Sequence, residues 1–183
     1  MLVAFDTSFL IMIFDSRYGS RGALDPRLSH LLMTLEKDKS TIIIPAPALS
    51  EVLIGAGEAA PRYLSIINAS SRFKVAPFAE RAAVEAASAH REAIKTGDKK
   101  EGSSSWDKVK YDRQVVSIAI VEGASIIYSN DKDIRRLVSG TSIEVFRLED
   151  LPEPPPPRPA HEPTDPIANM FDLLTPDDPS SGK

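Results

Sequence analysis

Hydrophobic and polar positions alternate in blocks along the first 151 residues. Residues 2–5 (LVAF) form a short apolar run of the kind a buried strand makes. Residues 41–44 (TIII), β-branched and stopped by Pro45, form a second. Between them, Leu28, Leu31, Leu32 and Leu35 recur at helical spacing and predict a helix over 25–36. Residues 46–56, which include Ser50 and Glu51, read as a helix ending near Gly55 or Gly57, and 62–69 as another. A short strand is expected at 73–76 and an alanine-rich helix at 79–94. A polar loop at 96–105, with two glycines and three serines, precedes a helix over 106–122 with Val109, Val116, Ala119 and Ile120 on its apolar face. That helix stops at Gly123; a strand at 125–128, a short helix at 131–138 and a last strand at 142–146 follow. No internal repeat is evident. The order β-α-β-α-α-β-α-α-β-α-β predicts an α/β layer fold with a largely parallel sheet. Functional groups in such sheets gather just beyond the carboxyl ends of the strands.

The pattern breaks at about residue 152. Ten of the 15 prolines lie between Pro152 and Pro179, including the run 154–157. That density prevents helix and sheet, so 1–151 is expected to be one domain and 152–183 a flexible, disordered tail. Within the tail, Met170, Phe171, Leu173 and Leu174 make a small apolar island among acids, either inert or able to fold on a partner or back onto the domain. The proline run also has the form an aromatic groove binds. The tail holds two cations and six acids, which is the whole of the net charge of −4, so the domain itself is neutral. The balance argues against a broadly basic nucleic-acid binder and leaves room for a neutral domain with a local basic patch. With no cysteine, the chain has no disulfide, thiolate metal site or cysteine nucleophile, which fits the cytoplasm. No apolar run approaches the roughly 18 residues of a membrane span. The opening MLVAFDTSFLIMIFDS lacks a basic region and carries Asp6 inside its apolar stretch, which does not read as a secretory leader.

Acids cluster where the topology puts a site. Asp6 directly follows the first strand, and Asp131 and Asp133 follow the strand at 125–128 after Ser129 and Asn130. Glu51 lies on the helix after the second strand, and Asp112 on the helix that precedes 125–128. Carboxylates crowded into one cleft repel one another and resist ionisation. A hard divalent cation with oxygen ligands, Mg²⁺ or Mn²⁺, offsets that repulsion. It also activates water and stabilises charge on a phosphate, which points to phosphodiester hydrolysis. Asp6 and Asp131 are the expected central ligands. Glu51 and Asp112 are expected as direct or water-mediated ligands, with Asp133 completing the site and Thr7, Ser8 and Ser129 orienting carboxylates or water. Each acid also has an ordinary structural explanation. Asp6 and Asp131 stand where helix caps stand, Asp133 suits a first helical turn, Glu51 suits an exposed helix face, and Asp112 sits among Lys108, Lys110 and Arg113 like one member of an i,i+4 pair.

Order and context favour the joint reading. The segment VAFDTSFLI, with Asp6 followed by Thr7 and Ser8, resembles the D-[TS]-[SN] opening of the PIN-domain family, the metal-dependent ribonuclease fold of VapC-like toxins. Glu51 in PAPALSEVL matches that family's helix Glu. The stretch DRQVVSIAIVEGASIIYSNDKDI is similar to its D-x₆-A helix, glycine turn, apolar strand and [TS]-x-D-x-D, with Asp112, Asp131 and Asp133 as third, fourth and fifth acids. The resemblance covers residues 1 to about 151; the proline-rich tail and the long loop 96–105 depart from the family's pattern. It implies a three-layer α/β/α domain, a Mg²⁺ or Mn²⁺ site, metal-dependent endoribonuclease activity on RNA, homodimerisation and inhibition by a cognate antitoxin protein.

An acidic site needs flanking cations to hold RNA. Lys108, Lys110 and Arg113 surround Asp112, and Lys132, Arg135 and Arg136 follow Asp131; Lys99 and Lys100 lie in the long loop. The same charges also make an ordinary solvated helix face. Trp106 reads as a stacking platform for a base or as a packing anchor. Other chemistries fit poorly: His30, His90 and His161 form no local pair, and no nucleophile elbow, Walker A loop or dinucleotide fingerprint is present. A phosphatase-type Asp nucleophile at Asp6 needs an acid two residues on, where Ser8 stands. Two further readings stay open beside the ribonuclease: a non-catalytic PIN-like binding module whose tail recruits a partner, and a phosphohydrolase acting at the same acids.

Overall fold

Two strands at the centre, both apolar on both faces, organise the domain in the computed structural model, which describes residues 1–15, 24–100, 102–103 and 105–156. β1 (Leu2–Phe5) pairs in parallel with β2 (Thr41–Pro45) on one side and with β4 (Ile126–Tyr128) on the other. β3 (Phe73–Ala76) extends the sheet beyond β2, and β5 (Glu144–Phe146) extends it beyond β4. The five strands are all parallel, in the order β3-β2-β1-β4-β5. A sheet covered on both faces gives continuous apolar runs rather than alternation. Accordingly Val3, Ala4, Phe5, Ile42, Ile43 and Ile44 are all fully buried.

Among the described residues seven α-helices complete the three-layer α/β/α fold. α1 (Thr7–Phe14) and α2 (Pro26–Lys37) connect β1 to β2; α3 (Ala46–Ala56) and α4 (Ala60–Ala69) connect β2 to β3. α5 (Glu80–Lys95) and α6 (Trp106–Val121) carry the chain back across the sheet to β4, and α7 (Lys132–Leu137) leads to β5. The strand order reverses at β1 and β4, so the connections leave their carboxyl ends in opposite directions and open a crevice there. Asp6 and Ser129, the residues after these two strands, stand at its base.

The expected elements lie within about two residues of those observed, the usual scatter of element ends. α1 is the exception, because no helix was expected between residues 5 and 25. Its sequence TSFLIMIF has no polar residue after Ser8 to reveal a period. Phe9, Leu10, Ile13 and Phe14 are buried, and Ile11 and Met12 pack partly against the core, so the helix is apolar nearly all round. α6 is likewise buried over most of its circumference, including the polar Asp112, Arg113 and Ser117, and packs against α3, α5, α7 and β2. It ends as the sequence implies: Gly123 has φ +77°, and the Gly123 and Ala124 amides donate to the carbonyls of Ile120 and Ala119 in a Schellman turn. A side-chain-bearing residue would strain that turn. The tail from residue 157 onward lies outside the described residues; 152–156 are exposed and without regular structure. Among the described residues no helix is long and apolar enough to cross a membrane.

Beneath the crevice, the rings of Phe5, Phe9 and Tyr128 meet pairwise at centroid distances of 5.4 to 5.7 Å. Phe9, fully buried, therefore fastens α1 to both β1 and β4. Phe9→Ala is expected to cost about 3–5 kcal/mol in denaturant unfolding; a loss under about 1 kcal/mol would show that this cluster does not hold α1 in place.

Candidate metal centre

Asp6 enters the site through the cap of α1. Its Oδ1 accepts hydrogen bonds from the Ser8 amide (2.8 Å), the Ser8 hydroxyl (2.6 Å) and the Phe9 amide (3.2 Å). Its Oδ2 accepts from the Ser129 hydroxyl at the end of β4. The Ser129 oxygen in turn accepts the Asp131 amide (2.9 Å), and the Ser8 oxygen accepts the Asn130 amide (2.9 Å). Thr-Ser after β1 and Ser-Asn-Asp after β4 are thus two halves of one clasp across the crevice. Burial pushes the Asp6 carboxyl above the ordinary range, opposed by the bonds from Ser129, Ser8 and Phe9. The cap expected of Asp6 is present, and the same carboxylate also lines the cleft at the strand ends.

Asp131 is divided in the same way. Its Oδ1 caps α7 by accepting the Asp133 amide (2.8 Å), while Oδ2 accepts from the Lys108 ammonium (2.8 Å). Asp112, buried in the middle of α6, and Asp133, buried in the first turn of α7, complete a group of three carboxylates with one oxygen each within 4.8 Å of the others. Lys108, one turn before Asp112, places its Nζ 2.6 Å from Asp112, 2.8 Å from Asp131 and 2.8 Å from Asp133. Burial raises the Asp112 carboxyl, Lys108 opposes the shift, and the neighbouring charges of Asp131 and Asp133 add to it. At Asp133 burial also pushes upward, but bonds from Lys108, from Arg136 (2.6 Å) and from Ser103 (3.1 Å) more than offset it and leave the carboxyl below the ordinary range. Burial disfavours charge on Lys108, yet its three carboxylates outweigh that and hold the ammonium firmly protonated.

Glu51 is exposed on α3 and accepts the Thr7 hydroxyl (2.6 Å). Next to it the Tyr111 hydroxyl donates to the Pro47 carbonyl. Burial, with the charges of Glu51 and Asp112, drives the Tyr111 phenol well above its ordinary range. Asp6, Glu51, Asp112 and Asp131 line one cleft of about 220 Å³ together with Thr7 and Ser8. The structure therefore brings the sequence-selected acids to one place. Asp133 is not among the residues lining that cleft, and Asp6 and Glu51 lie outside the tight group of three. This all-oxygen, carboxylate-rich set, which already draws a cation into its middle, fits a hard divalent ion.

The selected cations do not form one surface. Lys108 lies inside the acid group. Arg136 is bonded to Asp133, and Arg135 to the Val145 carbonyl and Asp150, both at 2.9 Å. Arg113 departs from the expected surface position: α6 turns it inward, where it is 5 % exposed and lines a cavity between α5, α6 and the turn after α7. Lys110 pairs with Asp107 (2.6 Å) and, with Lys99, lies over the Trp106 ring, whose partner is the His90 ring at 4.9 Å. Lys132 is exposed on α7.

Residues 3–139 match the family model of the PIN domain. The chain belongs to the PIN-domain family. Members of the family are generally nucleases, and this PIN domain carries an acidic cluster of Asp112, Asp131 and Asp133. Its fold is similar to a chain of VapBC2 from Rickettsia felis, solved bound to a DNA fragment from the promoter (TM-score 0.59, 18% identity, covering 80% of this chain and 98% of that one). It is also similar to a chain of DNA-bound VapBC from Salmonella typhimurium (TM-score 0.55, 18% identity, 81% and 99%). No curated protein matches the sequence.

Sequence reasoning missed Ser103 and Tyr111 and gave Lys108 and Arg136 another task. Ser103 lies in the polar loop, where nothing local marks one serine over the next. Lys108 carried a signal, its i,i+4 spacing to Asp112, which was equally a sign of a solvated pair.

The raised Asp6 carboxyl has a definite pH consequence. A folded-state value above the unfolded one, about 3.9, makes this group's contribution to stability complete at low pH and lost as pH rises through the folded value. Asp6→Asn keeps a capping oxygen and removes the titration. In EDTA, the melting temperature of Asp6→Asn minus that of the wild type is expected to increase from pH 4 to pH 7; a decrease would contradict the assignment.

Proposed function

We propose that this PIN domain is a metal-dependent endoribonuclease using Mg²⁺ or Mn²⁺, and the toxin of a VapC-like toxin–antitoxin pair. The observation that carries the reading is the convergence of Asp112, Asp131 and Asp133 within ligand distance, at a cleft that Asp6, Glu51, Asp112 and Asp131 line. When bound, a divalent ion supplies water activation and neutralises charge developing on the phosphate. Asp112, Asp131 and Asp133, with Asp6, are the residues that would hold it. Ser8 and Ser129 fix the rotamer of Asp6, so its carboxylate is set before substrate arrives. Thr7 likewise fixes Glu51, the exposed carboxylate at the cleft, in position to orient water or ligate directly. Lys110 and Lys132, exposed on α6 and α7, are the cations proposed to meet the RNA backbone, while Arg135 and Arg136 are engaged by Asp150 and Asp133.

The domain is proposed to comprise residues 1–151, with 152–183 as an appended tail, and to act in the cytoplasm as a homodimer under control of an antitoxin protein. The likeness to VapBC chains and the family's nuclease character support this reading. One observation favours the alternative of a non-catalytic binding module: Lys108 already bonds all three carboxylates and offsets part of their repulsion without a metal.

Cleavage of a mixed-sequence RNA in Mg²⁺, Mn²⁺ or EDTA by wild type, Asp6→Asn and Asp131→Asn decides between them. Cleavage is expected only with metal. Removing a ligand forfeits several kcal/mol of charge stabilisation, so each variant should lose on the order of 10²-fold or more, with melting temperatures close to wild type because Asn still caps a helix. Metal-independent cleavage, or cleavage undiminished in Asp6→Asn, would overturn the proposal. Turnover of small phosphomonoesters in place of RNA would make the protein a phosphatase.

A further inference from the structure

Three carboxylates of the proposed site point at a cation that the chain itself provides. The Lys108 Nζ is within 2.8 Å of Asp112, Asp131 and Asp133 alike, and these are the residues whose oxygens converge within 4.8 Å. An ammonium and a divalent ion cannot share that space: both need the same oxygens, and like charges at such a distance repel strongly. The two cations are unequal in attachment. Lys108 is tethered by a flexible four-carbon stem and its side chain is 34 % exposed, so it has a route out to water without any movement of α6. Arg136, by contrast, bonds Asp133 through its other oxygen, Oδ1, and does not occupy the space between the three acids.

We infer that Lys108 is a displaceable resident cation that sets the metal affinity of this site: the metal-free domain is held together by its ammonium, and a divalent ion binds only by driving that side chain out. This rests on the reading of the acids as metal ligands. It gives the site two alternative occupants rather than one preformed vacancy. If the open arrangement makes up about a tenth or less of the metal-free population, the apparent affinity falls by the same factor, about tenfold or more.

The test is Mn²⁺ binding, measured by calorimetry on wild type, Lys108→Met and Lys110→Met without RNA. Lys108→Met is expected to bind at least about tenfold tighter than wild type. Lys110→Met removes the same charge from the same helix outside the acid group and should stay within about twofold. Because Lys108→Met leaves Asp112 and Asp131 without their ammonium partner and is open to poor folding in EDTA, a second readout uses the unaltered protein. Acetylation of Lys108 by an amine-reactive reagent, followed by mass spectrometry, should rise several-fold on saturation with Mn²⁺, while Lys110 stays constant. Equal Mn²⁺ affinity in wild type and Lys108→Met, or Lys108 labelling indifferent to Mn²⁺, would overturn the inference and leave the proposed function standing. Failure of all three proteins to bind Mn²⁺ would overturn both.

Discussion

Mutual repulsion among carboxylates is the constraint to which the rest of this site answers. A parallel sheet directs every strand end the same way, and its switch point brings the ends of β1 and β4 together. Asp6, Asp112, Asp131 and Asp133 are delivered to that one place, three of them buried. Left alone, such a group would resist ionisation or push its elements apart. The domain answers with donors. Asp6 takes hydroxyls and amides, and Asp133 takes Arg136 and Ser103. Lys108 stands among the remaining oxygens. Each donor comes from an element that the fold must place anyway, so satisfying the acids also ties α1, α6, α7 and the loop before α6 to the strand ends.

The strands, the parallel character of the sheet and the acids beyond the strand ends were legible in the sequence for a simple reason, whereas the order of the strands within the sheet was not. Buried parallel strands are short apolar runs bounded by breaks, as at LVAF and TIIIP, and an acid directly after such a run lies at a carboxyl end whatever the neighbouring strands turn out to be. Gly123 announced the end of α6 because only a left-handed residue completes that turn. Three things were not legible. α1 is too uniformly apolar for a period to show. Arg113 looked like part of a charged face, but α6 is enclosed on most sides, so the direction of a side chain depends on helices distant in sequence. Lys108 was visible as a cation but not as an occupant. Its spacing to Asp112 is local, whereas its bonds to Asp131 and Asp133 cross 23 and 25 residues of chain and exist only once α7 docks on α6.

The two acids expected as central ligands double as helix caps, and this has a bearing on how such a protein can change over generations. Asparagine caps a helix about as well as aspartate does. A single-base change from Asp to Asn at Asp6 or Asp131 would therefore withdraw negative charge from the cleft while leaving the start of α1 or α7 supported. On the proposed function, lineages carrying this scaffold can lose its chemistry in one mutational step without passing through an unfolded intermediate, and can then keep the surface for other uses. If the site acts as proposed, the architecture makes inactive descendants easy to reach.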